Sequence, residues 1–246
     1  MNAKEKKKEQ KTRSEDSDAG TADLIRELGM AASGTDFESD LQYISIIGSI
    51  EGHIALPMEN KTTKYEHLIP QLIAVEENPK LRGLLVILNT MGGDVEAGLA
   101  LAEMIATLSK PTVSLVLGGG HSIGIPLATA TDYSFIAGTA TMTLHPIRTT
   151  GLVITAETTF DYMRKTQDRV IDFIAGHSRA TKKRVTELMN CSDNMSNDVG
   201  TILFGKEAVD AGIIDAVGGV SQALGELRRR VAKVDELEKE ISISTD

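Results

Sequence analysis

Two unbroken apolar runs, LRGLLVILNT at residues 81–90 and PTVSLVLGGG at 111–120, constrain the fold more than any other feature of the chain. Neither alternates polar with apolar residues, so each reads as a strand covered on both faces. Between them lies DVEAGLALAEMIATLS, whose Leu99, Ala102, Ile105 and Ala106 fall on one helical face. Asp94 is placed to cap that helix and Pro111 to end it. Strand, amphipathic helix and strand in this order predict a parallel crossover, and hence an α/β fold.

The same reading extends outward. YISIIGSI (43–50) and GHIALP (52–57) read as two strands around a glycine break, and a helix is expected to start near Ser122. YSFIAG and TMTLHP (141–146) read as short strands, and residues 156–176 and 181–189 as amphipathic helices. FGKEAVDAGIIDAVGG reads as a helix ending at Gly212 and a last short strand. The first twenty residues carry eleven charges and almost nothing apolar. Residues 1–40 are therefore expected to be a charged, largely disordered extension, with one amphipathic helical turn in TADLIRELGM. Residues 41–230 are expected to form the folded domain, and 231–246 a charged C-terminal tail.

Composition narrows the function. The net charge is −9 and aromatic residues make up 4% with no Trp, which argues against nucleic acid as a partner. Cys191 is the single cysteine, so an intrachain disulfide, a Cys-based zinc cluster and a CxxC redox site are all excluded. No apolar run approaches the ~20 residues that span a bilayer, and the N-terminus lacks the apolar core of a secretory signal. A cytoplasmic setting is expected.

The chemistry concentrates where glycine clusters come after the two buried strands. Asn89-Thr90-Met91-Gly92-Gly93-Asp94 and Gly118-Gly119-Gly120-His121-Ser122-Ile123-Gly124 can each present bare N–H groups to a phosphate or an oxyanion. Neither is a P-loop or a dinucleotide fingerprint. Ser122 sits in a glycine turn at the start of a helix, where a developing oxyanion is stabilised. His145, at the end of the strand TMTLH, is a candidate base, and Asp193 and Asp198 are candidate acids in CSDNMSND. His121 is either a second polar group in the cleft or, since side chains in an extended turn diverge, one that points away.

LVILNTMGGDVEAGLALAEMI, VSLVLGGGHSIGIPLATA, TMTLHPIRTTG and FGKEAVDAGIIDAV resemble, in order and spacing, the ClpP-type serine peptidases. The resemblance covers roughly residues 43–225. It implies the ClpP/crotonase-like fold of stacked β-β-α units, with 156–176 as a protruding handle helix. It also implies Ser122 as nucleophile, His145 as general base, Asp198 as the acid with Asp193 the alternative, and Gly93 and Ile123 as oxyanion-hole N–H donors. No cofactor or metal is implied. Expected partners are further copies of the chain in heptameric rings able to stack, a peptide or unfolded-protein substrate, and an unfoldase or export machinery. A substrate is expected to add as a strand, with HPIRTTGLVI a candidate edge. Thr90-Met91 in place of Ser-Pro, His121 before the serine and the HPIRTT sequence resemble a divergent branch linked to protein export. Two other readings stay open: a noncatalytic ring or export scaffold, and a crotonase-like acyl-CoA enzyme.

Overall fold

The computed structural model describes residues 39–148, 156–191 and 200–245. These lie, apart from Ser39, in the unit Asp40–Asp246, and the expected N-terminal extension falls outside the described residues but for its last two. Eight strands are described: β1 (Leu41–Glu51), β2 (Thr62–Lys64), β3 (Gly83–Gly93), β4 (Thr112–Gly120), β5 (Tyr133–Ile136), β6 (Thr141–Leu144), β7 (Thr201–Phe204) and β8 (Ala216–Val217). Seven helices accompany them: α1 (Tyr65–Glu77), α2 (Val95–Ala106), α3 (Gly124–Thr129), α4 (Ala156–Gly176), α5 (Lys182–Met189), α6 (Gly205–Asp210) and α7 (Val220–Thr245).

The main sheet runs β2-β1-β3-β4-β5-β8, and every pair in it is parallel. The apolar runs are covered on both faces as expected. Leu84, Val86 and Leu88 of β3 join a core shared with Leu68 and Leu72 of α1 and Leu101 and Ile105 of α2. Leu85 of the same strand points the other way, into a smaller core with Val113, Leu115 and Ala223, Leu227 and Val231 of α7. Helix α7 continues past Arg230 to Thr245, and beyond Val231 the Arg82–Asp235 ion pair ties it to the start of β3.

Near its C-terminal end β4 changes partners. Val113–Val116 pair with β5, whereas Gly119 pairs with Thr141 of β6. Strand β6 in turn pairs antiparallel with β7, Thr143 opposite Ile202 and Leu144 opposite Thr201.

One local expectation is corrected. Gly52–Pro57 is not a strand: β1 runs unbroken through Gly48 to Glu51, and an exposed loop succeeds it, with Ile54 78% accessible. The outer neighbour of β1 is instead the short β2, in parallel, which requires an intervening excursion rather than a turn at a glycine. The helix expected near Ser122 is found at Gly124–Thr129, with Ser122, left-handed at φ 56°, just outside it. Helix α6 ends as expected, with Gly212 at φ 79° and the Ile213 and Gly212 N–H groups bonded back to Ala208 and Val209.

Asp94 caps α2 as its position predicts, its carboxylate accepting from the Ala97 N–H at 2.8 Å. Replacing it with alanine should destabilise the fold by about 1 kcal/mol. Asp94→Asn should retain most of that stability; equal urea midpoints for wild type and Asp94→Ala would show that the cap contributes nothing.

Candidate functional site

The two glycine loops meet because β3 and β4 are neighbours. Their register holds from Leu84↔Thr112 to Leu88↔Val116, then slips, so that Thr90 pairs with Gly120. Three residues of β4, Leu117 to Gly119, thus stand opposite the single Asn89. The Asn89 side chain closes this irregularity by accepting from the Gly119 N–H at 3.0 Å. The bulge turns the end of β4 away from β5 and onto β6.

Thr90 anchors both loops. Its hydroxyl donates to the Gly48 carbonyl of β1 at 2.6 Å and accepts from the Gly92 N–H at 3.1 Å. Its carbonyl accepts from the His121 N–H at 3.1 Å. One buried residue therefore joins β1, the Gly92-Gly93 loop and the serine turn.

Gly92, at φ 92°, approaches so closely that a Cβ there would lie 2.7 Å from Cβ of Ser122 and 3.3 Å from its Oγ. Only glycine can occupy this position without displacing the hydroxyl. Gly93 comes next, with its backbone pressed against Ile50 of β1, and the N–H after it, of Asp94, donates to the Ile50 carbonyl at 2.9 Å.

Ser122 is the one non-glycine residue with positive φ among the described residues. Its N–H donates to the Thr143 carbonyl at 2.9 Å, and the Gly124 and Ile125 N–H groups bond back to His121 and Ser122. The N–H of Ile123, between them, has no acceptor among the described residues, while its side chain is buried against Gly98 of α2. The turn therefore offers an unused donor beside a half-buried hydroxyl that itself has no partner among the described residues. The spacing Gly120-His121-Ser122-Ile123-Gly124 is that of a strand-to-helix nucleophile turn, a sequence signal beyond the glycine count.

His145 stands one residue past the end of β6. Its Nδ1 lies 2.7 Å from the Pro146 carbonyl, which can only accept, so this bond protonates Nδ1 and leaves Nε2 bare in the neutral ring. Gly200, which precedes β7, packs against the other side of His145, with a Cβ there 3.0 Å from the His145 Cβ. The Gly200 N–H donates to the Cys191 carbonyl at 2.8 Å, so both described ends of the 192–199 segment meet beside His145. Asp193 and Asp198 lie outside the described residues.

His121 does not point away. Its Nδ1 bonds the Thr143 Oγ1 at 2.9 Å, and Thr143 and His145, two apart, share a face of the chain. Burial, and then the charge of His145, lower the His121 pKa below the usual imidazole value. Thr143 is a site residue that motif reading misses; the signal available is its period-2 spacing from His145.

Of HPIRTTGLVI, the described beginning is tied to the handle, the Ile147 N–H donating to Gln167 of α4 at 3.2 Å. Residues 149–155 lie outside the described residues. Among the described residues no cluster of three or more His, Cys, Asp or Glu could hold a metal ion, and no helix is long and apolar enough to cross a membrane.

Comparisons with known proteins give the family and the fold. The Clp protease family model matches residues 39–221. The chain is 54% identical over 215 residues to the translocation-enhancing protein TepA of Halalkalibacterium halodurans, covering 87% of this chain and 84% of that protein. Its fold matches an asparagine-to-aspartate mutant of ClpP1 from Listeria monocytogenes with a TM-score of 0.60 and 19% identity, covering 74% of this chain and 94% of that one. A glycine loop and a strained serine turn, joined through one threonine beside a strand-end histidine, thus lie within the 39–221 span that the family model matches: the chain belongs to the Clp protease family.

Proposed function

We propose that the protein is a serine endopeptidase that hydrolyses peptides or unfolded polypeptides through an acyl-enzyme on Ser122. The observation that carries this reading is the left-handed Ser122, held by a backbone bond to Thr143 and flanked by Gly92-Gly93 and by the unused Ile123 N–H. A non-glycine residue at positive φ costs on the order of 1–3 kcal/mol, and such strain clusters at functional sites.

In the proposed reaction His145 Nε2 takes the Ser122 proton as Oγ attacks the substrate carbonyl. The developing oxyanion is met by the N–H groups of Gly93 and Ile123. His145 then returns the proton to the leaving amine, and a water molecule, deprotonated the same way, releases the acyl group. The Pro146 carbonyl supports the required tautomer, and Asp198, with Asp193 the alternative, supplies the charge that stabilises the imidazolium. The reaction needs no metal or nucleotide bound to this chain.

Family membership supports a ring assembly, proposed as heptameric and able to stack through the α4 handle, in a cytoplasmic setting. The name of the Halalkalibacterium relative supports a role connected with protein translocation, with export machinery or an unfoldase as partner.

A fluorophosphonate probe tests the nucleophile. The folded wild type should be labelled, Ser122→Ala should not, and His145→Ala should react about 10²–10⁴ times more slowly. A folded wild type that resists the probe would sink the peptidase reading and leave a noncatalytic ring. For the acid, Asp198→Ala should slow peptide cleavage roughly tenfold or more, and Asp193→Ala much less. Near-native rates in both variants would remove the acid assignment.

A further inference from the structure

We propose that His121 is a positioning residue, which clasps Thr143 and so holds the Ser122 turn at a set distance from the strand that carries His145. This role rests on the proposed parts of Ser122 and His145 as nucleophile and base. It starts from an arrangement that the proposed reaction does not use: a half-buried imidazole, directly before the nucleophile, bonded to a side chain on the opposite element.

Three residues are matched to one another here. The His121 Nδ1 lies 2.9 Å from the Thr143 Oγ1. The ring lies over Gly119, where a Cβ would stand 2.5 Å from Nε2 and 2.8 Å from Cδ2. Gly119 has no positive φ, so its lack of a side chain serves the ring rather than the backbone. Thr143 therefore holds two consecutive residues of the turn, Ser122 by its carbonyl at 2.9 Å and His121 by its hydroxyl.

The main chain of the turn is tied to β3 by the His121 N–H on the Thr90 carbonyl and to β6 by the Ser122 N–H on the Thr143 carbonyl; the His121 side chain adds a second tie to β6, so that the turn cannot swing on the Ser122 bond relative to that strand. Because His145 lies two residues after Thr143, fixing the turn to Thr143 also fixes Ser122 relative to the base. A displacement of about 1 Å between reacting groups can cost as much as 10²-fold in rate, so the clasp acts on rate rather than on substrate affinity.

The test combines probe labelling, peptide kinetics and amide exchange at Ser122 in the full-length protein. His121→Ala and Thr143→Val should each lower kcat and the labelling rate about tenfold or more with KM unchanged, and speed Ser122 amide exchange. Asn at position 121 puts a polar atom where Nδ1 stands, so His121→Asn should restore most of both; Thr143→Ser should do likewise. Gly119→Ala should imitate His121→Ala when the ring is present and add nothing in the double variant. Unchanged labelling and exchange in folded His121→Ala would overturn the proposal, as would strict additivity of Gly119→Ala and His121→Ala. An unlabelled wild type whose Ser122 exchange still responds as described would overturn the nucleophile reading while supporting the clasp.

Discussion

The parallel pairing of β3 with β4, and its slip beyond Leu88, is the constraint on which the site depends. Had the register continued, β4 would have run straight on beside β3, and its glycines would have formed an ordinary ladder. Instead the residues opposite Asn89 are two too many, and the excess bends β4 onto β6. That bend brings the serine turn, the Gly92-Gly93 loop and the His145 strand to one place, although they are far apart in sequence. The Asn89 side-chain oxygen Oδ1 takes up the Gly119 N–H that the slip would otherwise leave without a partner on β3.

Rigidity around the slip comes from burial on both faces of β3 and β4. Leu84, Val86, Leu88 and Val116 are fully buried in the larger core, and Leu85, Val113 and Leu115 lie under α7 in the smaller one. Strands packed from both sides cannot shift register without moving their whole apolar set. The strained φ of Ser122, on the order of 1–3 kcal/mol, can therefore be held by local bonds worth about 1 kcal/mol each. Those from His121, Ser122 and Gly124 to Thr90, Thr143 and His121 are together comparable to it.

How much of this is legible in the sequence depends on which signals are local. The β3 and β4 runs, the Asp94 cap, the α4 helix and the Gly212 stop each rest on a few adjacent residues, and each is found where the sequence predicts. Gly52–Pro57 misleads because an apolar stretch after a glycine looks like a second strand, while the real partner of β1 is set by a parallel crossover. Strand β7 is missed because Thr201 to Phe204 run directly into the FGKEAV helix with no turn signal between them, and its ladder is supplied by β6. Ser122 and His145 can be named from motif order. Their relation through Thr143 cannot, because it depends on how far β4 bends. The orientation of His121 is hidden for the same reason, since an extended turn sends its side chain outward unless a partner across the gap captures it.

His145, the proposed base, illustrates how local geometry can stand in for part of a triad. A catalytic acid has two tasks, holding Nδ1–H so that Nε2 is free, and stabilising the imidazolium once it forms. Here the Pro146 carbonyl meets the first task from the residue adjacent to His145, at 2.7 Å and with no dependence on the 192–199 segment. A neutral carbonyl meets the second only weakly, because its partial charge offsets little of a full positive charge in a half-buried site. The two tasks are thereby divided between a fixed backbone group and a carboxylate. Loss of that carboxylate in the proposed reaction should then slow turnover without changing which nitrogen of His145 is bare. In that proposed reaction the direction of proton transfer is set by residues 145 and 146, and the proposed carboxylate governs how readily the transfer occurs.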